Sequence, residues 1–139
     1  MLGIDVGAVL LATGLMYVIG AIWYMVLFAK QWGEMFGFDK LSKAKQKEMQ
    51  KQMMPMMLLQ LIVTALSAFA LAKLIALAPD YSVYKLAVCV WLGFSLPTIV
   101  SSVIFGGVEA KWIQRRITIM STESLAHILA AAWLIGLLQ

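Results

Sequence analysis

Charge is what this chain has least of. Charged residues make up 13% of its 139 residues and hydrophobic ones 63%, whereas soluble domains hold about 25% and about 45–50%. That imbalance indicates a single domain, 1–139, that lives in a bilayer. Other scarcities narrow the chemistry. One cysteine, Cys89, set in an apolar run, allows no intrachain disulfide and no cysteine metal cluster. One histidine excludes a bis-histidine haem and argues against a di-iron site. Zinc would need Cys89 or Glu109 brought beside His127 and Glu123, and no ligand spacing supports that. Neither a Gly-rich phosphate loop nor a Ser-centred elbow is present. No metal or cofactor is therefore expected. A hydrolase built from Ser95, Ser101 or Ser102 with His127 and Glu123 has the residue types but no motif behind it.

What the chain has is long apolar runs. They predict an all-α, integral membrane four-helix bundle with spans at 6–28, 56–77, 83–105 and 117–138, crossing about 30 Å of hydrocarbon in about 20 residues each. Asp5 is placed to cap the first span. That span closes in Trp23, Tyr24 and Phe28, then Lys30 and Trp32, an aromatic belt with a snorkelling cation at a water interface. Gly33 and Gly37 are expected to break the helix, and Lys40 to Gln52 to form a polar helix on the membrane surface or one running straight into span two. Pro55 and Pro97 mark expected kinks, the latter with its freed carbonyl satisfied locally.

Lys30, Lys40, Lys43, Lys45, Lys47 and Lys51 follow span one, and Lys111, Arg115 and Arg116 follow span three. Only Lys73 and Lys85 fall on the other side. The positive-inside rule then puts the two basic loops in the cytoplasm and both termini outside, in a bacterial or archaeal plasma membrane. The same placement accounts for the net charge of +4 without nucleic acid. No Lys or Arg precedes the first apolar run, so that span is expected to stay rather than be cleaved as a leader.

Two stretches carry a resemblance. Trp23-Tyr24-Met-Val-Leu-Phe28-Ala29-Lys30-Gln-Trp32, followed by Gly37, and Trp91-Leu-Gly93-Phe94-Ser-Leu-Pro97 resemble the Trp-Tyr, Phe-Gly-Lys-x-Trp and Trp-x-Gly-Phe-x-x-Pro signatures of a membrane family catalogued as domain of unknown function 1761. Ala29 stands where that pattern has Gly. The resemblance covers essentially the whole chain and implies a small four-span protein, with no activity attached.

Each span also carries polar residues at steps of three and four, which hold one helical face. Thr13, Tyr17, Gly20 and Tyr24 do so in span one, Gln60, Thr64 and Ser67 in span two, Trp91, Ser95, Thr98 and Ser102, with Ser101 alongside, in span three. Span four can cross only by taking Glu123 and His127 into hydrocarbon, where ionisable groups turn inward. Tyr24, Gln60, Thr64, Thr98, Ser102, Glu123 and His127 fall at one depth and predict a polar ligand pocket open to the cytoplasm, with Tyr17 and Trp91 as further contacts. Plainer readings stand beside it. Hydroxyls in membrane helices bond back to their own carbonyls, Glu123 can pair with Arg115 or Arg116 at the interface, and His127 can be a neutral packing residue.

Met49, Met53 and Met57 share a face that suits Cu(I), but methionine also fills irregular helix junctions. Gly3/Gly7, Ala8/Ala12, Ala68/Ala72 and Ala126/Ala130 are close-packing pairs, some available for a homo-oligomer. Three functions follow as expectations: binding or passing a small polar or amphipathic ligand; a membrane-embedded enzyme acting on a lipid or quinone-like substrate; or a structural or assembly subunit. Whether the protein is an enzyme is left open.

Overall fold

The computed structural model describes residues 3–139, and the described residues are helical with no strand. Helix α1 (Val6–Ile22) starts where Asp5 accepts a hydrogen bond from the Ala8 backbone N–H at 3.2 Å, the expected cap. A π-helical turn, Trp23–Leu27, continues it, and the chain bends at Phe28 into the short α2 (Ala29–Met35). Gly33 lies within α2 and breaks nothing. The reversal falls instead at Gly37, whose φ of 67° is a conformation that glycine adopts without steric cost.

Helix α3 (Lys43–Leu77) settles the alternative left for the polar stretch. Its 35 residues form one continuous helix through Pro55, capped by Ser42. At about 1.5 Å per residue it is roughly 52 Å long, well beyond a hydrocarbon core of about 30 Å. Its Lys- and Gln-rich first turns therefore project past the apolar zone.

The third span is divided into α4 (Val83–Val90), a second π-helical turn at Trp91–Ser95, and α5 (Leu96–Phe105). Pro97 explains the division. Its ring and missing N–H are incompatible with the regular bond to residue 93, and the extra residue of a π turn relieves the conflict. The Leu96 N–H reaches back to the Trp91 carbonyl, and the Thr98 hydroxyl donates to the Phe94 carbonyl at 2.6 Å. Gly107, at φ 72°, turns the chain into α6 (Ile113–Leu138).

Four segments are long and apolar enough to cross a membrane: Val6–Leu27, Lys43–Leu77, Val83–Phe105 and Ala110–Leu138. Helix α6 is the axis, packed against α1, α3, α4 and α5, while the approach of α3 to α5 is at most marginal. The core occupies the half away from the basic loops. There Ala12, Ala68, Ala72, Ala87, Ala131 and Ala132 bring backbones close around Met16, Leu71 and Ile135. The pairs Ala8/Ala12 and Ala68/Ala72 are therefore used inside one chain, whereas Gly3 and Gly7 are exposed. At the basic-loop end the first turns of α3 are exposed, and the helices part.

Candidate functional site

A cavity of about 610 Å³ occupies that parting, bounded by α1, α2, α3, α5 and α6. Tyr17, Gly20 and Tyr24 line it from the first span, Gln60, Thr64 and Ser67 from α3, and Glu123, Ser124 and His127 from α6. Six methionines complete the wall: Met16, Met25, Met53, Met56, Met57 and Met120. Most of the α3 wall, including Met53, Met56 and Val63, is exposed. The cavity is consequently open on the flank where α3 and α5 separate, with Ile99 of α5 at its far edge.

The electrostatic centre of the cavity is a pair on α6. Glu123 is 8% exposed, and its Oε1 lies 2.7 Å from His127 Nδ1, one helical turn on. The opposing helix supplies the room. Gly20 of α1 has no side chain at the point where an added Cβ would come within 3.4 Å of Glu123 Oε1. Among the described residues Glu123 has no Arg or Lys partner. Arg115, expected as one, is paired instead with Glu34 of α2 at 2.9 Å, and Arg116 lies over the rings of Trp32 and Phe36. An interfacial Glu123–arginine pair is thus replaced by a partly buried carboxylate–imidazole pair, because the turn after the first span carries Glu34 back to α6 and occupies Arg115.

The sequence-selected residues divide between two faces. Tyr17, Tyr24, Gln60, Thr64, Glu123 and His127 line the cavity. Thr98 and Ser102 do not. Both are exposed on α5 and donate to carbonyls of their own helix, those of Phe94 and Ile99. The π turn shifts the register of α5 by one residue relative to a regular helix, and a spacing argument has no access to that shift. Trp91 is also outside the cavity, with its indole N–H donating to the Ser121 carbonyl at 3.1 Å. Thr64 and Ser67 likewise bond back to carbonyls of α3, and Thr64 also accepts from the Gln60 amide at 3.3 Å. Tyr17 reaches from α1 to the Met57 carbonyl at 3.3 Å.

Trp23 mirrors Trp91. Each is the first residue of a π turn, and each indole donates to a carbonyl of α6, Trp23 to Ile119 at 3.2 Å. Two spans therefore grip α6 just before Glu123. Spacing alone missed this role because indole–carbonyl bonds between helices leave no periodic trace. Ser124 and Trp32 were missed as cavity residues, although Ser124 is three residues from His127 and shares its face. Met53 and Met57 line the cavity and Met49 does not. Among the described residues there is no group of three or more His, Cys, Asp or Glu side chains close enough to hold a metal ion. A second hollow, lined by Tyr81, Tyr84, Lys85, Val88 and Cys89 on the outer flank of α4, is shallow open surface.

Fold and site together define a helical bundle of membrane-crossing length with a mostly apolar cavity, holding the Glu123–His127 pair, at its basic-loop end. The comparisons name the family: residues 7–136 match the model described as "Protein of unknown function (DUF1761)", and the chain belongs to that family. The two stretches that carry the resemblance, Trp23–Trp32 and Trp91–Pro97, fall on the two π turns and their flanks. No curated protein and no solved structure matches the chain.

Proposed function

We propose that this protein binds, or passes across the basic-loop half of the membrane, a small polar or amphipathic ligand held in the cavity beside Glu123 and His127. The observation carrying this reading is the pair of buried Glu123 and half-buried His127 bordering about 610 Å³ of open space, a volume in the usual range of ligand sites, about 300–1,000 Å³. An ionisable pair at that depth is costly in a purely structural role, since apolar residues pack there without it. The hydroxyls around it are less informative, because most are satisfied by their own helices.

A membrane-embedded enzyme is the second reading, and one feature favours it. With Nδ1 held by a carboxylate, the imidazole keeps Nε2 free of hydrogen-bond partners among the described residues, the arrangement of an oriented general base. A lipid or quinone-like substrate entering between α3 and α5 would meet it.

The test uses the single histidine. Nitrogen-15 labelling of histidine gives the ring signals of His127 alone, in micelles or nanodiscs. Amphiphiles of neutral, cationic and anionic headgroup are titrated against these signals. The expected result is a saturable shift with one headgroup class, lost after Glu123→Gln. Because His127→Ala removes the reporter, that variant is read by equilibrium dialysis and is expected to lose binding by at least about tenfold, as for a charge-assisted bond of about 1.5–3 kcal/mol. If no amphiphile moves the signals and both substitutions only lower the melting temperature, the pair is structural and the assembly-subunit reading stands.

A further inference from the structure

We infer that the ligand of this cavity is a lipophilic organic cation, taken up in exchange for a proton held by the Glu123–His127 pair. The inference rests on the ligand-binding reading above and adds the charge of the ligand and its coupling.

Charge is the first ground. Among the described residues, no Lys or Arg lines the cavity. From α1 it is faced by the phenols of Tyr17 and Tyr24, from α3 by the uncharged Gln60 and Thr64, from α5 by Ile99, and from α2 by Trp32. Of the two arginines on the same helix, Arg115 is paired with Glu34, and Arg116 is stacked across Trp32 and Phe36 with its Nε lacking a hydrogen-bond partner. Among the described residues neither pairs with the Glu123 carboxylate, which is neutralised at contact distance by a proton shared with His127 across 2.7 Å or by a cation from outside. An unneutralised carboxylate in that low-dielectric setting is the expensive alternative.

The wall is the second ground. Tyrosine rings and polarisable methionine sulfurs attract a cation's charge and accommodate its apolar body, which neither a water-filled channel nor an aliphatic core does. The third ground is access. The opening lies on the flank between α3 and α5, where Met53, Met56 and Val63 are exposed, so a molecule dissolved in hydrocarbon reaches Glu123 without first crossing the polar loops. The exchange balances in charge: one monovalent cation enters and one proton leaves to water.

The experiment uses two probes of like size and opposite charge, tetraphenylphosphonium and tetraphenylborate, with the full chain in nanodiscs. Phosphonium binding is expected to release about one proton and to strengthen about tenfold per pH unit while the pair holds its proton, levelling off above that range. Borate is expected not to bind. Glu123→Gln, checked by circular dichroism and monodisperse elution, is expected to weaken phosphonium binding at least about tenfold and to abolish its pH dependence. Should that variant not fold, the opposite-charge pair and the proton count on the unaltered protein decide alone. Equal binding of both probes, or phosphonium binding indifferent to pH, overturns the inference. If His127 signals shift only with an uncharged amphiphile, the cation is wrong and the ligand site stands; if nothing shifts them, both readings fall.

Discussion

Glu123 and Arg115 show how differently two ionisable residues two turns apart on one helix are treated. Arg115 meets Glu34 with both side chains partly exposed, 38% and 31%. Such pairs are screened, so Arg115→Ala is expected to lower stability by under about 1 kcal/mol, read by denaturant unfolding in micelles. Glu123 is almost wholly enclosed and leans on the space left by Gly20. Gly20→Ala adds a carbon at ordinary contact distance and is expected to leave binding within about threefold. Gly20→Leu places its side chain where the Glu123 carboxylate lies and displaces it, and is expected to remove binding while the circular dichroism spectrum stays helical. The sequence makes Glu123 and His127 conspicuous because any crossing of the last run includes them. It does not show that Glu34 engages Arg115, because that contact joins residues 81 positions apart through a turn whose path depends on Gly37.

Among the elements, the two π turns carry the most consequence. Each interrupts a membrane-length helix at a tryptophan, and each indole ties its span to α6. Trp23→Phe and Trp91→Phe keep a large ring and delete one hydrogen bond, so each is expected to cost about 1 kcal/mol in thermal unfolding. Because the bonds fall at Ile119 and Ser121, just before Glu123, either change is also expected to shift the His127 ring signals. Substitution of Trp133, which is exposed at the far end of α6, is expected to leave them unmoved. The alanine seam gives a sharper contrast. Ala72 is fully buried between helices and Ala70, two residues away, is exposed. Ala72→Leu is expected to destabilise by about 1–3 kcal/mol or prevent folding, and Ala70→Leu to be neutral, by the same unfolding assay.

For the molecule as a whole, tight packing at one end and parting at the other follow from residue size. Alanine at the contacts lets α1, α3, α4 and α6 close up around Ile135, whereas tyrosine, tryptophan and methionine at the basic-loop end hold the helices apart around the cavity. Which face of the membrane that end adjoins is argued from the Lys and Arg of its loops. In a Cys89→Ser background, a cysteine at Lys43 is expected to react with an impermeant maleimide only in inverted vesicles, and one at Asp80 only in right-side-out vesicles. The reverse pattern removes the cytoplasmic placement of the cavity.

By itself the sequence determined the four segments of membrane-crossing length, the Asp5 cap and the location of the ionisable pair, because each depends on residues near one another in the chain: run length, a capping side chain, a spacing of four. Composition alone also set the membrane class. Tertiary structure decided which polar face meets which. It sent Thr98 and Ser102 outward through a π turn, gave Arg115 to Glu34, and left Glu123 with His127 beside open space. Those outcomes depend on helix rotation and on contacts between distant segments, and a one-residue register shift changes both while leaving the sequence periodicity intact.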